Sequence, residues 1–155
     1  VFRIGYLIAS KEFVNEAAKL RGFVDRQGDA LLELTFADFI KSGDLDRHIN
    51  KVMKVYKVRR DLFCSLLKDN FSGIFSFEVP KGGMAVWVKL NKKYSWDNIA
   101  KISKKYFLDI GDWQSYDKVG LGHNAIRIGF ATYNNEEIYE LIKRLHKTIK
   151  EVTKM

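Results

Sequence analysis

The sequence predicts an α/β protein whose part beyond about residue 70 forms a compact α+β unit. Three observations carry this. Through most of the first 70 residues apolar side chains recur at the helical period of 3.6. From Ile74 the pattern changes to the period of two that marks strands. An Asn134-x-x-Glu137 capping box then opens a last amphipathic helix, with Ile138, Leu141, Ile142, Leu145, Ile149 and Val152 on one face.

Taken in order, Val1 to Ile8 is dense in strand formers and apolar on both faces, which suits the middle of a sheet. Few segments downstream offer it a neighbour, so we expect the chain to be part of a longer protein. Ser10 is placed to cap a short helix to about Leu20, with Phe13, Ala17 and Leu20 in register. Asp29 or a neighbour opens a second helix through Leu31, Leu34, Phe36 and Ile40, stopped at Gly43. Asp44 caps a long third helix with Leu45, Ile49, Val52, Met53, Tyr56, Phe63 and Leu67 on its stripe. The stripe breaks at Arg59 and Arg60. Either the helix changes neighbours there, or the arginine stems cover apolar surface with their heads in water.

Ile74 to Val79 and Met84 to Leu90 read as antiparallel strands across Pro80-Lys81-Gly82-Gly83. Trp96, Ile99, Ile102 and Tyr106 line a helix begun near Ser95. An irregular aromatic stretch from Asp109 to Asn124 precedes a strand over Ile126 to Ala131.

Composition narrows the function. No apolar run approaches the ~18 residues of a spanning helix. Cys64 is the single cysteine, so no internal disulfide or cysteine-rich zinc site can form, and a reducing, cytosolic compartment is expected. It lies among Leu62, Phe63, Leu66 and Leu67 and reads as a buried, inert thiol. His48, His123 and His146 lack ligand spacing, so no metal site is expected. No Gly-x-Ser-x-Gly or Walker-type loop occurs, and Gly82-Gly83 reads as a turn. Lysine and arginine number 27 against 19 acids, a net charge of +8. The excess is spread along helices, where it solubilises; a phosphate- or nucleic-acid-binding patch is the competing reading, which strongly salt-dependent binding to arbitrary DNA would reveal.

Two arginines stand out. Alternation along Ile126-Arg127-Ile128-Gly129-Phe130-Ala131 puts Arg127, Gly129 and Ala131 on one face, leaving space around the guanidinium for a bidentate carboxylate or phosphate. The other reading of the same pattern is an exposed arginine on an antiparallel sheet. Arg3 and Gly5 repeat the arrangement in the opening strand.

The segments Arg3-Ile4-Gly5-Tyr6, Gly43-Asp44-Leu45-Asp46-Arg47-His48-Ile49, Tyr56, Arg59-Arg60-Asp61, Gly82-Gly83-Met84-Ala85-Val86-Trp87 and Ile126-Arg127-Ile128-Gly129-Phe130-Ala131, in this order, resemble the MocR branch of GntR-type bacterial transcription regulators. That family joins a winged helix-turn-helix DNA reader to a domain similar to fold-type I aminotransferases, which use pyridoxal 5'-phosphate. The resemblance covers essentially the whole chain. It implies the C-terminal part of such a domain: residues 1–43 as the tail of the large cofactor domain, 44–70 as a linking helix, and 71–155 as the small domain.

It also implies roles. Arg3 matches the arginine on the cofactor phosphate, and Arg127 the one that holds the α-carboxylate of an amino-acid or amine effector. The cofactor lysine is expected upstream of Val1, so the isolated chain is expected to be no enzyme and to lack a firm hold on the cofactor. DNA would be read by a separate N-terminal domain of a cytoplasmic, bacterial, homodimeric regulator with no membrane partner. The alternative is the C-terminal domain of a class I/II aminotransferase, which shares both arginines.

Overall fold

In the computed structural model the described residues are 4–25, 28–111 and 113–154. The chain divides into two compact units, residues 1–51 and 52–155.

The first unit carries two helices. α1 (Lys11–Val24) starts where Ser10 Oγ accepts from Phe13 N at 3.3 Å. α2 (Ala30–Lys41) starts where Asp29 Oδ1 accepts from Leu32 N at 3.0 Å. Both satisfy backbone donors that the first helical turn leaves without partners. Gly43, at φ +74°, ends α2 in the left-handed conformation that glycine tolerates best. α3 (Asp44–Asn70) follows at once, and Ser42 Oγ accepts from Asp44 N at 3.3 Å. Asp44 is thus the first helical residue rather than the cap. No residue of α1 or α2 is buried, and Phe13, Leu20, Phe23, Leu31 and Leu34 are exposed.

The expected strand over Val1–Ile8 is not formed where it can be described. Val1, Phe2 and Arg3 lie outside the described residues, and Ile4 to Ile8 have no strand conformation and are exposed. A strand is held by hydrogen bonds to a neighbour, and apolar composition alone supplies none.

The second unit is a three-stranded antiparallel sheet with helices on one face. β1 (Phe75–Ser76), β2 (Ala85–Leu90) and β3 (Ala125–Gly129) lie in the order β1-β2-β3. β2 pairs with β1 through Phe75 opposite Leu90, and with β3 from Ala85 opposite Gly129 to Lys89 opposite Ala125. α4 (Trp96–Ser103) begins at Ser95, continues into a 3-10 turn over Lys104–Tyr106, and packs with α5 (Asn135–Val152). Period-two burial along β2 places Val86, Val88 and Leu90 in the core with Phe63 and Leu67 of α3, Ile99 of α4 and Ile138 and Leu145 of α5.

β1 is shorter than the expected Ile74–Val79 strand. The chain leaves the ladder after Ser76, and further on Pro80 has no N–H to donate while its carbonyl accepts from Arg60 Nη1 at 3.1 Å. β3 likewise ends at Gly129, two residues before the expected Ala131.

Both halves of the capping box are made: Asn134 Oδ1 accepts from Glu137 N at 2.9 Å, and Glu137 Oε2 accepts from Asn134 N at 2.7 Å. Asn134→Ala is expected to cost about 1 kcal/mol, read as a lower urea midpoint at unchanged slope. At the other end of α5, Glu151 accepts from Lys105 Nζ and from Tyr106 Oη, the latter at 2.8 Å. The Lys105 ammonium and then the Tyr106 hydroxyl hold the Glu151 carboxyl below its usual range. A carboxylate depressed in the folded state stabilises above its unfolded value and loses that contribution as pH falls through the folded one. Stability is therefore expected to fall with acidification more steeply in the wild type than in Glu151→Gln, as measured by thermal melts from pH 6 downward.

Candidate functional site

The site-bearing strand is β3, and its register fixes what surrounds Arg127. Trp87 stands directly opposite Arg127 and Ala85 opposite Gly129. Residues paired across an antiparallel ladder share a face, so Arg127 lies with Trp87, Ala85 and Gly129 on the face away from the buried Val86, Val88 and Ile126. Trp87 is itself braced by Tyr116, ring centroids 5.7 Å apart in an edge-to-face arrangement. Arg127 is exposed, and among the described residues its guanidinium has neither an ion pair nor a hydrogen bond. A Cβ built on Gly129 would have only the Met84 carbonyl oxygen in range, at 3.9 Å.

One expected neighbour is different. Ala131 lies beyond the strand and is buried, with its carbonyl oxygen accepting from Arg59 Nη1. The room beside Arg127 comes from Gly129 and, across the ladder, Ala85. A planar guanidinium on such a face can present two parallel N–H donors to a carboxylate.

Arg3 lies outside the described residues. Cys64 is buried, and burial pushes its thiol up from the ordinary value, which disfavours the nucleophilic thiolate. Among the described residues no group of histidine, cysteine and acidic side chains has metal-binding geometry, and no helix is long and apolar enough to cross a membrane.

Of the segments singled out in the sequence, those that lie in the second unit come together there. Tyr56 and Arg60 of α3, Gly82, Gly83 and Met84 of the turn, and Phe130 line one hollow of about 570 Å³. Gly83, at φ +84°, takes the left-handed conformation that this turn requires. Arg59 and Arg60, where the apolar stripe breaks, both donate to backbone carbonyls. Arg59 holds the Ala131 carbonyl; Arg60 holds the Pro80 carbonyl while Asp61 Oδ1 accepts from its Nε at 2.8 Å. They fasten α3 to the two backbone segments that leave the sheet. The break in periodicity was the available signal. The partners were hidden because they lie 72 and 20 residues away along the chain.

Residues 2–145 match the family described as aminotransferase class I and II, and the chain belongs to it. It is 29% identical over 154 residues to the HTH-type transcriptional regulator NorG of Staphylococcus aureus strain USA300, covering 97% of this chain and 34% of that protein. An uncharacterized aminotransferase of Saccharolobus solfataricus is 28% identical over 148 residues, covering 96% of this chain and 37% of that one. The kynurenine aminotransferase of Pyrococcus horikoshii superposes with a TM-score of 0.87 at 25% identity, over 97% of this chain and 37% of that one. The chain spans about a third of the length of the relatives it matches. Its fold is the C-terminal portion of a fold-type I aminotransferase domain.

Proposed function

We propose that this chain is the C-terminal part of the effector-sensing, aminotransferase-like domain of a pyridoxal phosphate-dependent transcription regulator. The observation that carries the reading is Arg127, a guanidinium without an internal partner on an open strand face, in a chain that aligns along 97% of its length with a regulator. A carboxylate is the complementary ligand, and an amino acid brings one together with an amine. Pyridoxal phosphate, when bound, supplies an aldehyde that captures a primary amine. Arg127 would orient the ligand by its carboxylate, and Arg3 would meet the cofactor phosphate.

In this reading residues 1–43 end the large domain, 44–70 link the domains, and 71–155 are the small domain. DNA is bound through a winged helix-turn-helix domain elsewhere in a homodimeric, cytoplasmic bacterial protein. A regulator senses an effector only if the ligand binds one pose of the domain more tightly than another, and that difference sets the shift in DNA affinity. The full-length protein, loaded with cofactor, is expected to bind DNA from its own upstream region with an affinity that changes on adding particular amino acids or amines. Multiple-turnover transamination with no DNA binding would replace this reading with the alternative, a class I/II aminotransferase. That alternative draws on the Saccharolobus relative.

A further inference from the structure

Arg127 accounts for the carboxylate of a ligand and leaves the ligand's side chain unaddressed. The ladder supplies a surface for it. Phe130 N donates to the Met84 carbonyl at 3.1 Å, and Leu90 N to the Asn124 carbonyl at 2.7 Å. Combined with the register of β2 and β3, these bonds make Val86 with Ile128 and Val88 with Ile126 hydrogen-bonded pairs. Trp87 and Arg127, one step along, are therefore a non-hydrogen-bonded pair. That is the closer kind, in which facing side chains stand nearest one another.

Trp87 is not spent on the core. It is 40% exposed, and Tyr116, which meets it edge to face, is 39% exposed, so both rings keep aromatic surface free for a ligand. Tyr116 ends a 3-10 turn over Trp113–Tyr116 that is fastened on both sides. Trp113 Nε1 donates to Asp97 Oδ1 at 2.9 Å. Asp117 accepts from the N–H groups of Leu121, Gly122 and His123 at 2.8, 2.8 and 3.1 Å, which commits that acid to its own loop. Lys89 follows Trp87 on the same face of β2 and is exposed. Trp87 is thus flanked by two cations, and a cationic ligand side chain would be repelled.

We propose, on the reading of Arg127 as the carboxylate anchor, that Trp87 braced by Tyr116 determines specificity at this site. The ligand is a carboxylate with a neutral, aromatic side chain that lies against the indole. Aromatic rings in contact gain from edge-to-face or offset stacking beyond the apolar area they remove from water.

The full-length protein, loaded with pyridoxal phosphate, is titrated by calorimetry with L-phenylalanine, L-alanine, L-glutamate and L-lysine. Phenylalanine is expected to bind about ten-fold more tightly than alanine, and lysine no better than alanine. Trp87→Leu keeps apolar surface but removes the ring. It is expected to weaken phenylalanine about five-fold and to change alanine less than about two-fold. Trp87→Phe is expected to bind phenylalanine within about two-fold of the wild type, since a ring is kept. Tyr116→Ala, which removes the brace, should act in the same direction as Trp87→Leu by a smaller factor. Arg127→Ala should weaken phenylalanine and alanine alike.

If no amino acid binds, or if Arg127→Ala leaves binding unchanged, the anchor fails and the specificity fails with it. If amino acids do bind through Arg127, three results overturn the specificity alone. One is equal affinity for phenylalanine and alanine. Another is a preference for glutamate, which would give the ligand's side chain to Lys89. The third is an equal effect of Trp87→Leu on phenylalanine and alanine. Should Trp87→Leu not fold, the wild-type preference and its reduction in Tyr116→Ala decide.

Discussion

Arg127→Ala is expected to weaken effector binding to the cofactor-loaded, full-length protein ten- to hundred-fold. The guanidinium stands on an open face beside Gly129 and Ala85, with no ion pair or hydrogen bond to another described residue. A carboxylate arriving there can form two charge-assisted hydrogen bonds, and losing such an interaction costs about 1.5–3 kcal/mol, which is that range of affinity. Arg127→Lys is expected to recover only part of the loss, because an ammonium lacks the planar fork. Stability should change by less than about 0.5 kcal/mol in either variant, as for a surface position without internal partners. Titrating candidate amino acids against the three proteins checks this. Equal affinities would reduce Arg127 to an exposed strand arginine.

Phe130→Ala is expected to have the largest effect on stability, about 3–5 kcal/mol. Phe130 is 1% exposed, follows directly on β3, and its backbone N donates to the Met84 carbonyl at 3.1 Å. Its ring belongs to the core and also lines the hollow shared by Tyr56, Arg60 and the Gly82-Gly83 turn. Truncation therefore opens a void where α3, the turn and the end of β3 meet. Since small domains are stable by only about 5–15 kcal/mol, a large share would be lost. Urea unfolding followed by circular dichroism measures it. A cost below about 1 kcal/mol would mean that the hollow collapses around the missing ring. Phe130→Leu should lie between the two.

Much of the candidate site was legible in the sequence because it sits on a strand. Alternation alone separates Arg127 from Ile126 and Ile128, and the burial of the strand follows that division. Ala131 was misplaced because alternation was carried beyond Gly129, where the ladder ends and Arg59 takes the Ala131 carbonyl. Ala85, which stands beside Arg127 through its pairing with Gly129, could not be found from β3 alone. Cross-strand register is a relation between segments distant in sequence.

The helix starts at Ser10, Asp29, Ser95 and Asn134 were determined by the sequence itself, since a capping side chain meets a backbone N–H two or three residues away. So were the amphipathic face of α5 and the inward alternation of β2, which follow from fixed residue periods. Tertiary structure decided the rest. Ile4 to Ile8 carry strand residues without strand conformation, and β1 pairs only at Phe75 and Ser76. Arg59 and Arg60 became clasps on backbone carbonyls, and Trp96 was left with a buried donor and a cavity beside it. Capping and periodicity are satisfied within a few residues of chain. A ladder, a clasp or a cavity needs a partner brought from elsewhere, and its identity is fixed only when the chain has folded.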